Sequence, residues 1–371
     1  MDAGANVAPG SYRNCSAPCM TPIAFGNSAY DPMSSPFYDY ANDIIYVGDG
    51  RSTLHKFTGV FLGTPAETVT GPWPVAVCNG CSGFSFPSPV YDSAHGSVYF
   101  LEGGGLYAVA ASSGAVTTSA QIAFNFAPSE DAPLVDSAAG EVYAFVGVDY
   151  HLNNGDVFQF PYNFASGSFG SETVLVEFPA NQSLVPLYAG TFDNAYYTSA
   201  TPSSPTGHLY VCSARGSQDL NQAVYQIPIT GGAMGASKSG PVLTNSTSSS
   251  IEPACSPVSE IFSNSVDWIF VSVQSNGKTG IVTTGGNTCA NSTTIGCVYS
   301  FNVTSGSIAA STKAANGLAT AGGSSGIIID NTASSPAGAS QIYFSTLSNQ
   351  TCTTSGGTGG CAIQASQSGL Q

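Results

Sequence analysis

Ser88-Pro89-Val90-Tyr91-Asp92, Gly96-Ser97-Val98-Tyr99-Phe100, Gly105-Leu106-Tyr107-Ala108-Val109 and Ser113-Gly114 follow one another along a single stretch of the chain. Each is a short apolar run closed by Gly, Asp or Ser, the pattern of strands joined by tight turns. The same order returns as Pro133-Leu134-Val135-Asp136, Gly140-Glu141-Val142-Tyr143, Val157-Phe158-Gln159-Phe160 and Ser166-Gly167. It also begins earlier, with Ser35-Pro36-Phe37-Tyr38-Asp39, Ile45-Tyr46-Val47 and Leu54-His55-Lys56-Phe57. From Asp39 to Tyr46, Asp92 to Tyr99 and Asp136 to Tyr143 the separation is seven each time. A fixed internal spacing of this kind marks a repeat architecture.

The second half continues the plan with insertions. Its landmarks are Asp193 with Leu209-Tyr210-Val211, Pro257-Val258-Ser259-Glu260 with Trp268-Ile269-Phe270-Val271, and Ile329-Asp330 with Ile342-Tyr343-Phe344. Six units result, at about 31–80, 81–127, 128–182, 183–247, 248–318 and 319–371, behind an N-terminal segment 1–30. Each reads as a four-stranded antiparallel meander. One such sheet cannot bury both faces, but like sheets packed radially around an axis do so. The chain is therefore expected to be a single all-β domain, a six-bladed β-propeller. The last unit has only three strands before the chain ends, and Pro22 to Asn27 form a spare apolar strand. That segment is predicted to complete the last blade, since an open ring leaves two unpaired edges.

The segment Leu106-Tyr107-Ala108-Val109-Ala110-Ala111-Ser112-Ser113-Gly114 resembles the repeat of the quinoprotein-like propellers and of related secreted propellers with YVTN-type repeats. In that pattern an Asp follows the Tyr-Ala-hydrophobic triplet and a Trp follows the Gly. Here Ala110 takes the first place, and the only tryptophans, Trp73 and Trp268, stand elsewhere. The resemblance implies the propeller fold. In its quinoprotein branch it further implies a dehydrogenase whose anionic quinone is held by cationic groups and a calcium ion, for which Arg51, Arg215 and Lys278 are the available basic residues.

Composition narrows the partners. Charged residues make up 8% of 371, aromatics 11%, and 7 Lys plus Arg against 22 Asp plus Glu give a net charge of −15. Such a surface repels phosphate backbones and anionic membranes, which argues against nucleic acid. No run approaches the ~20 apolar residues of a membrane span. The N-terminus lacks the basic and apolar regions of a signal peptide, so Met1 is expected to replace a removed export signal. Ten cysteines, most with a close neighbour, are read as five disulfides: Cys15 with Cys19, Cys78 with Cys81, Cys289 with Cys297, Cys352 with Cys361, and Cys212 with Cys255 by remainder. That places the protein in an oxidising compartment, secreted, extracellular or periplasmic. Metal binding by Cys78-Asn-Gly-Cys81 is the alternative, but no second knuckle accompanies it.

Propeller topology sorts the loops into two ends. Asp39, Asp92, Asp136, Asp193, Glu260 and Asp330 recur at one end, where Asp caps turns by accepting from nearby backbone N–H groups; a ring of metal-binding carboxylates is the sharper alternative. The other end collects the loops between second and third strands: Gly48 to Thr53, Glu102 to Gly105, Gly147 to Asp156, Ala214 to Gln222, Gln274 to Cys297 and Leu347 to Gly360. Loops on a rigid scaffold carry recognition. The candidate ligand-binding residues there are Asp149, His151, Asp156, Arg51, Arg215 and Lys278, joined near the axis by Glu130, Asp131 and Glu252. A carboxylate cluster with His151 suits calcium binding or acid/base chemistry. No nucleophile elbow, phosphate loop or dinucleotide fingerprint occurs. The expected function is a secreted binding or scaffolding propeller that engages a polysaccharide or protein through its loop-rich end. The alternatives are an extracellular enzyme, either a polysaccharide lyase or hydrolase or a quinone-cofactor dehydrogenase, and a self-assembling cell-surface protein.

Overall fold

The computed structural model describes residues 5–16, 19–25, 34–78, 87–123, 131–151, 154–177, 186–216, 219, 221–245, 254–283, 287–290, 292–330, 341–352 and 357–366. Among them the chain is almost wholly β, with one short α-helix, Asn194–Tyr197, and 3-10 turns at Pro9–Asn14 and Thr279–Ile281. Among the described residues six antiparallel sheets of three or more strands succeed one another in sequence. The first holds Phe37–Asp39, Ile44–Gly48, Thr53–Thr58 and Ala66–Glu67, with Val75–Ala76 also against its third strand. The second is Val90–Asp92, Ser97–Glu102, Gly105–Ala110 and Val116–Thr118. The third is Leu134–Asp136, Glu141–Val146, Asn154–Pro161 and Ser171–Glu177. Thr191–Phe192, Gly207–Ala214 and Gln222–Thr230 open the fourth, with Ala233–Met234 and Lys238–Val242 beyond. The fifth is Ser259–Ser263, Val266–Val273, Ile295–Asn302 and Asn316–Ala321. The sixth has three strands, Ile328–Asp330, Gln341–Ser345 and Ala362–Ser366.

Alternation along the strands explains how these sheets stack. Successive side chains of a strand point to opposite faces. In Ser97–Glu102, Val98 and Phe100 pack with Tyr46, Leu54 and Trp73 of the first sheet, whereas Tyr99 and Leu101 pack with Val142, Ala144 and Phe158 of the third. The third sheet repeats this one step on, sending Tyr143, Phe145 and Val157 to Leu209, Val211 and Ile227 of the fourth. Tyr210 and Val224 of the fourth meet Ile269, Val271 and Tyr299 of the fifth, and Trp268 and Phe270 of the fifth meet Ile342 and Phe344 of the sixth. Both faces of the inner strands are thus dry. That is why these strands read as near-continuous apolar runs, and why the hydrophobic contribution of about 25 cal/mol per Å² is gained on two sides at once.

At the turn end the repeated acids act as caps. Asp39 accepts from Ala41 N at 3.1 Å and Asn42 Nδ2 at 2.7 Å. Asp92 accepts from Ala94 N and from Ser137 Oγ of the next sheet, and its Oδ2 lies 2.6 Å from His95 Nδ1. Asp136 takes Ala138 N, Ala139 N and Tyr196 Oη, again from the next sheet. Asp193 caps the helix through Tyr196 N, accepts from His208 N, and lies 2.7 Å from His208 Nδ1. Glu260 departs from the pattern. It sits within Ser259–Ser263 instead of at its end, because Asn264 and Ser265, both at positive φ, make a two-residue turn that needs no Asx cap. Asp330 ends its strand opposite Gln341.

Four of the expected disulfides are formed: Cys15–Cys19, Cys212–Cys255, Cys289–Cys297 and Cys352–Cys361. Cys78 is also disulfide-bonded, and Cys81 lies outside the described residues. Among the described residues no helix is long and apolar enough to cross a membrane. Of the segment expected to close the ring, Pro22 to Phe25 form no strand, and Gly26 and Asn27 lie outside the described residues. Phe25 stacks on His55 at 4.1 Å and meets Phe57 at 5.9 Å. Alternation puts those two rings on the face of the first sheet turned away from the second.

Candidate functional site

The loops expected at the second end begin and finish within two residues of the observed strands in all six sheets. Three of them start with an acid. Asp49 Oδ1 accepts from Arg51 N and Thr53 N, both at 2.9 Å, and its Oδ2 lies 3.2 Å from His55 Nε2. Burial pushes its carboxyl up, but these partners outweigh it and hold the pKa below the ordinary value. Glu102 accepts from Ser52 Oγ at 2.7 Å through Oε1, while Oε2 is buried without a partner. Burial here prevails and raises the pKa to about 7.

Asp149 repeats the Asp49 design, its Oδ1 taking Asn154 N at 2.7 Å and its Oδ2 taking His151 N at 3.2 Å. The next strand brings Asp156 beside it, and the fourth strand brings Glu172, so that one carboxylate oxygen from each lies within 4.8 Å of the others. A β-bulge between Gly155 and Asp156 shifts the ladder at this point, the device by which sheets re-aim a side chain. Asp156 is fully buried and neither of its oxygens has a hydrogen-bond donor. Burial first, then the charges of Glu172 and Asp149, drive its pKa far upward. Two members of this group, Asp149 and Asp156, were expected from sequence; Glu172 was missed. His151 contributes its backbone N–H, and its ring lies edge-on to Phe169 at 4.8 Å.

The remaining candidates scatter. Asp131 is held by Ala132 N at 2.8 Å and Ala189 N at 3.1 Å, ties the third sheet to the fourth, and has its pKa raised by burial. Arg215 pairs with Asp219 inside its own loop. Arg51 is exposed on the first-sheet loop, and Lys278 uses its backbone to bond Leu243 O and receive Tyr299 Oη. Glu130 and Glu252 lie outside the described residues. Arg215, already neutralised by Asp219, does not fit the cationic cradle an anionic quinone requires.

A cleft of about 660 Å³ opens between the fifth and sixth sheets at this end. Gln274, Ser275, Thr293, Thr294, Ser348 and Asn349 line it with hydroxyls and amides, and Ile295 and Leu347 add apolar surface. Thr293 and Thr294 belong to the loop closed by Cys289–Cys297, and Asn349 precedes the loop closed by Cys352–Cys361. Among the described residues no ionisable side chain lines it. A second cleft of about 360 Å³ lies at the turn end, where Asp136, Tyr196, Tyr197, Pro202 and Pro205 meet.

No protein-family model matches the chain. No curated protein matches it either. Among solved structures, the dihydro-heme d1 dehydrogenase NirN in complex with DHE is similar over 94% of this chain at 11% identity, with a TM-score of 0.50. This chain spans 57% of that one. An ancestral GH74 enzyme is similar over 90% of this chain and 38% of its own, at 11% identity and a TM-score of 0.46. BamB from Moraxella catarrhalis is similar over 85% of this chain and 94% of its own, at 11% identity and a TM-score of 0.38. Read with the stacked sheets described above, the likeness to NirN is one of fold, and the fold is a β-propeller.

Proposed function

We propose that this is an extracellular binding propeller of six blades that engages a neutral polysaccharide in the cleft between its fifth and sixth sheets. The observation that carries the reading is the lining of that cleft: amides and hydroxyls beside apolar side chains, with no charge among the described residues. Sugar hydroxyls pair with amides and hydroxyls, while an unpaired charge in the cleft would remain to be desolvated. Disulfides flank both contributing loops, and a pre-organised loop loses less entropy when it binds. Ring closure at Pro22 to Asn27 is part of this reading, supported by Phe25 packing on His55 and Phe57 on the face of the first sheet turned away from the second.

The same lining favours binding, since the described residues of the cleft are amides, hydroxyls and apolar groups and supply no general acid or base. Glu102, with its pKa near 7, has the titration of a general acid but is only 3% exposed and faces Ser52. The test is calorimetric titration with neutral hexasaccharides of glucose, mannose and galactose. One of them is expected to bind the wild-type chain, and Q274A/N349A to weaken that binding at least 10-fold, roughly the loss of one to two hydrogen bonds. Equal affinity in the double variant contradicts the site.

A further inference from the structure

The geometry points to a second, independent site: we propose that Asp149, Asp156 and Glu172 on the third sheet coordinate one calcium ion. The inference does not depend on the polysaccharide cleft, which lies between the fifth and sixth sheets.

The donor set comes first. Three carboxylates and no His or Cys form this group among the described residues, which is the preference of a hard cation. The spacing agrees. Calcium holds oxygens at about 2.3–2.6 Å, so oxygens on opposite sides of one ion stand roughly 4.6–5.2 Å apart. The three oxygens, each within 4.8 Å of the others, stand no farther apart than one ion can bridge.

The decisive observation is Asp156. It is fully buried, yet neither carboxylate oxygen receives an N–H or O–H, while the strand ladder is bulged next to it. An ionised carboxylate without donors is among the most costly groups to bury, and it persists when paired or bound to a metal. Asp149 and Glu172 beside it add negative charge in place of compensation. Neighbouring elements support an ion at this point. Asn154 N and His151 N hold both oxygens of Asp149, fixing one side of the site, and exposed Glu172 leaves the other side open for entry and for water ligands. The bound ion would lock the 149–156 loop onto the third and fourth strands of the sheet.

The competing occupant is a proton shared by Asp156 and Glu172. The experiment separates the two. The full chain is stripped with chelator, then titrated with calcium chloride by calorimetry and followed by thermal melting, for wild type, D156N and E172Q. We expect one calcium per wild-type chain and a melting temperature that rises with calcium. In D156N affinity falls at least 100-fold and the calcium-dependent rise disappears; in exposed E172Q affinity falls about 10-fold. In chelator alone D156N melts at or above wild type, which also shows that it folds. A wild-type melting temperature unchanged up to about 10 mM calcium, beyond the ~10⁻³ M range of weak extracellular calcium modules, overturns the proposal in favour of the shared proton. Undiminished calcium binding by D156N overturns it equally.

Discussion

The repeated acids at the turn end and two acids at the loop end, Glu102 and Asp156, are held in opposite ways. At the turn end, Asp39, Asp92, Asp136 and Asp193 are saturated with donors, and two of them also bond the following sheet through Ser137 and Tyr196. At the loop end Asp49 and Asp149 are likewise held by backbone donors, but Glu102 keeps one buried oxygen and Asp156 both without a donor, as Glu260 and Asp267 of the fifth sheet each keep one. Satisfied carboxylates stabilise a fold, whereas unsatisfied ones persist where something else holds them. The saturated caps belong to the scaffold, and the function proposed above puts recognition at the loop end.

Substitutions can break or sharpen that division. The largest effect is expected at the staple between the fourth and fifth sheets, Cys212–Cys255, which closes a separation of 43 residues. Replacing both cysteines with Ala should cost about 4 kcal/mol in the chain-entropy account, read as a lower denaturation midpoint under oxidising conditions and none under reducing ones. D193A comes next. It strips a buried carboxylate from Tyr196 N, His208 N and the His208 ring at once, and should cost about 3 kcal/mol. An Asp193 change as mild as a surface substitution would dissolve the distinction between the ends.

Glu102 gives a pH test. Its folded pKa, about 7, exceeds its ordinary value of 4.5, so the unfolded chain loses this proton first as pH rises. The side chain therefore weighs nothing below about pH 4.5 and destabilises increasingly up to about pH 7, by roughly 3 kcal/mol in all. E102Q should match wild type at pH 4 and exceed it at pH 8; a constant difference across that range would show that the carboxyl does not titrate this way. The smallest effect belongs to Arg215. Its partner Asp219 is as exposed as it is, and R215A should change stability by less than about 0.5 kcal/mol.

Much of this was legible in the chain. Asp and Tyr seven residues apart are spaced by a capped hairpin, so the separation reports its geometry directly in the first three sheets. The fourth and fifth sheets disguise it. A helix and a Pro-rich loop separate Asp193 from its partner strand, and the Asn264-Ser265 turn removes the need for a cap, so Glu260 was read as one. Its burial beside Asp267 drives its pKa upward, a role no spacing reveals. Glu172 escaped notice because it sits diagonally across a bulged ladder from Asp156, and register shifts leave only a Gly, here Gly155, as their trace. The loop-end cleft was hidden for a simpler reason: Gln, Ser, Thr and Asn are too common in this chain to single out.

Hydrogen–deuterium exchange in the presence of the tightest-binding neutral hexasaccharide compares the two ends in one experiment. Binding at the loop end predicts slowed exchange at residues 274–275, 293–295 and 347–349, with the turn-end cleft around Tyr196 and Tyr197 unaffected. Protection confined to residues 134–138 and 192–197 would contradict it and move recognition to the opposite end of the molecule.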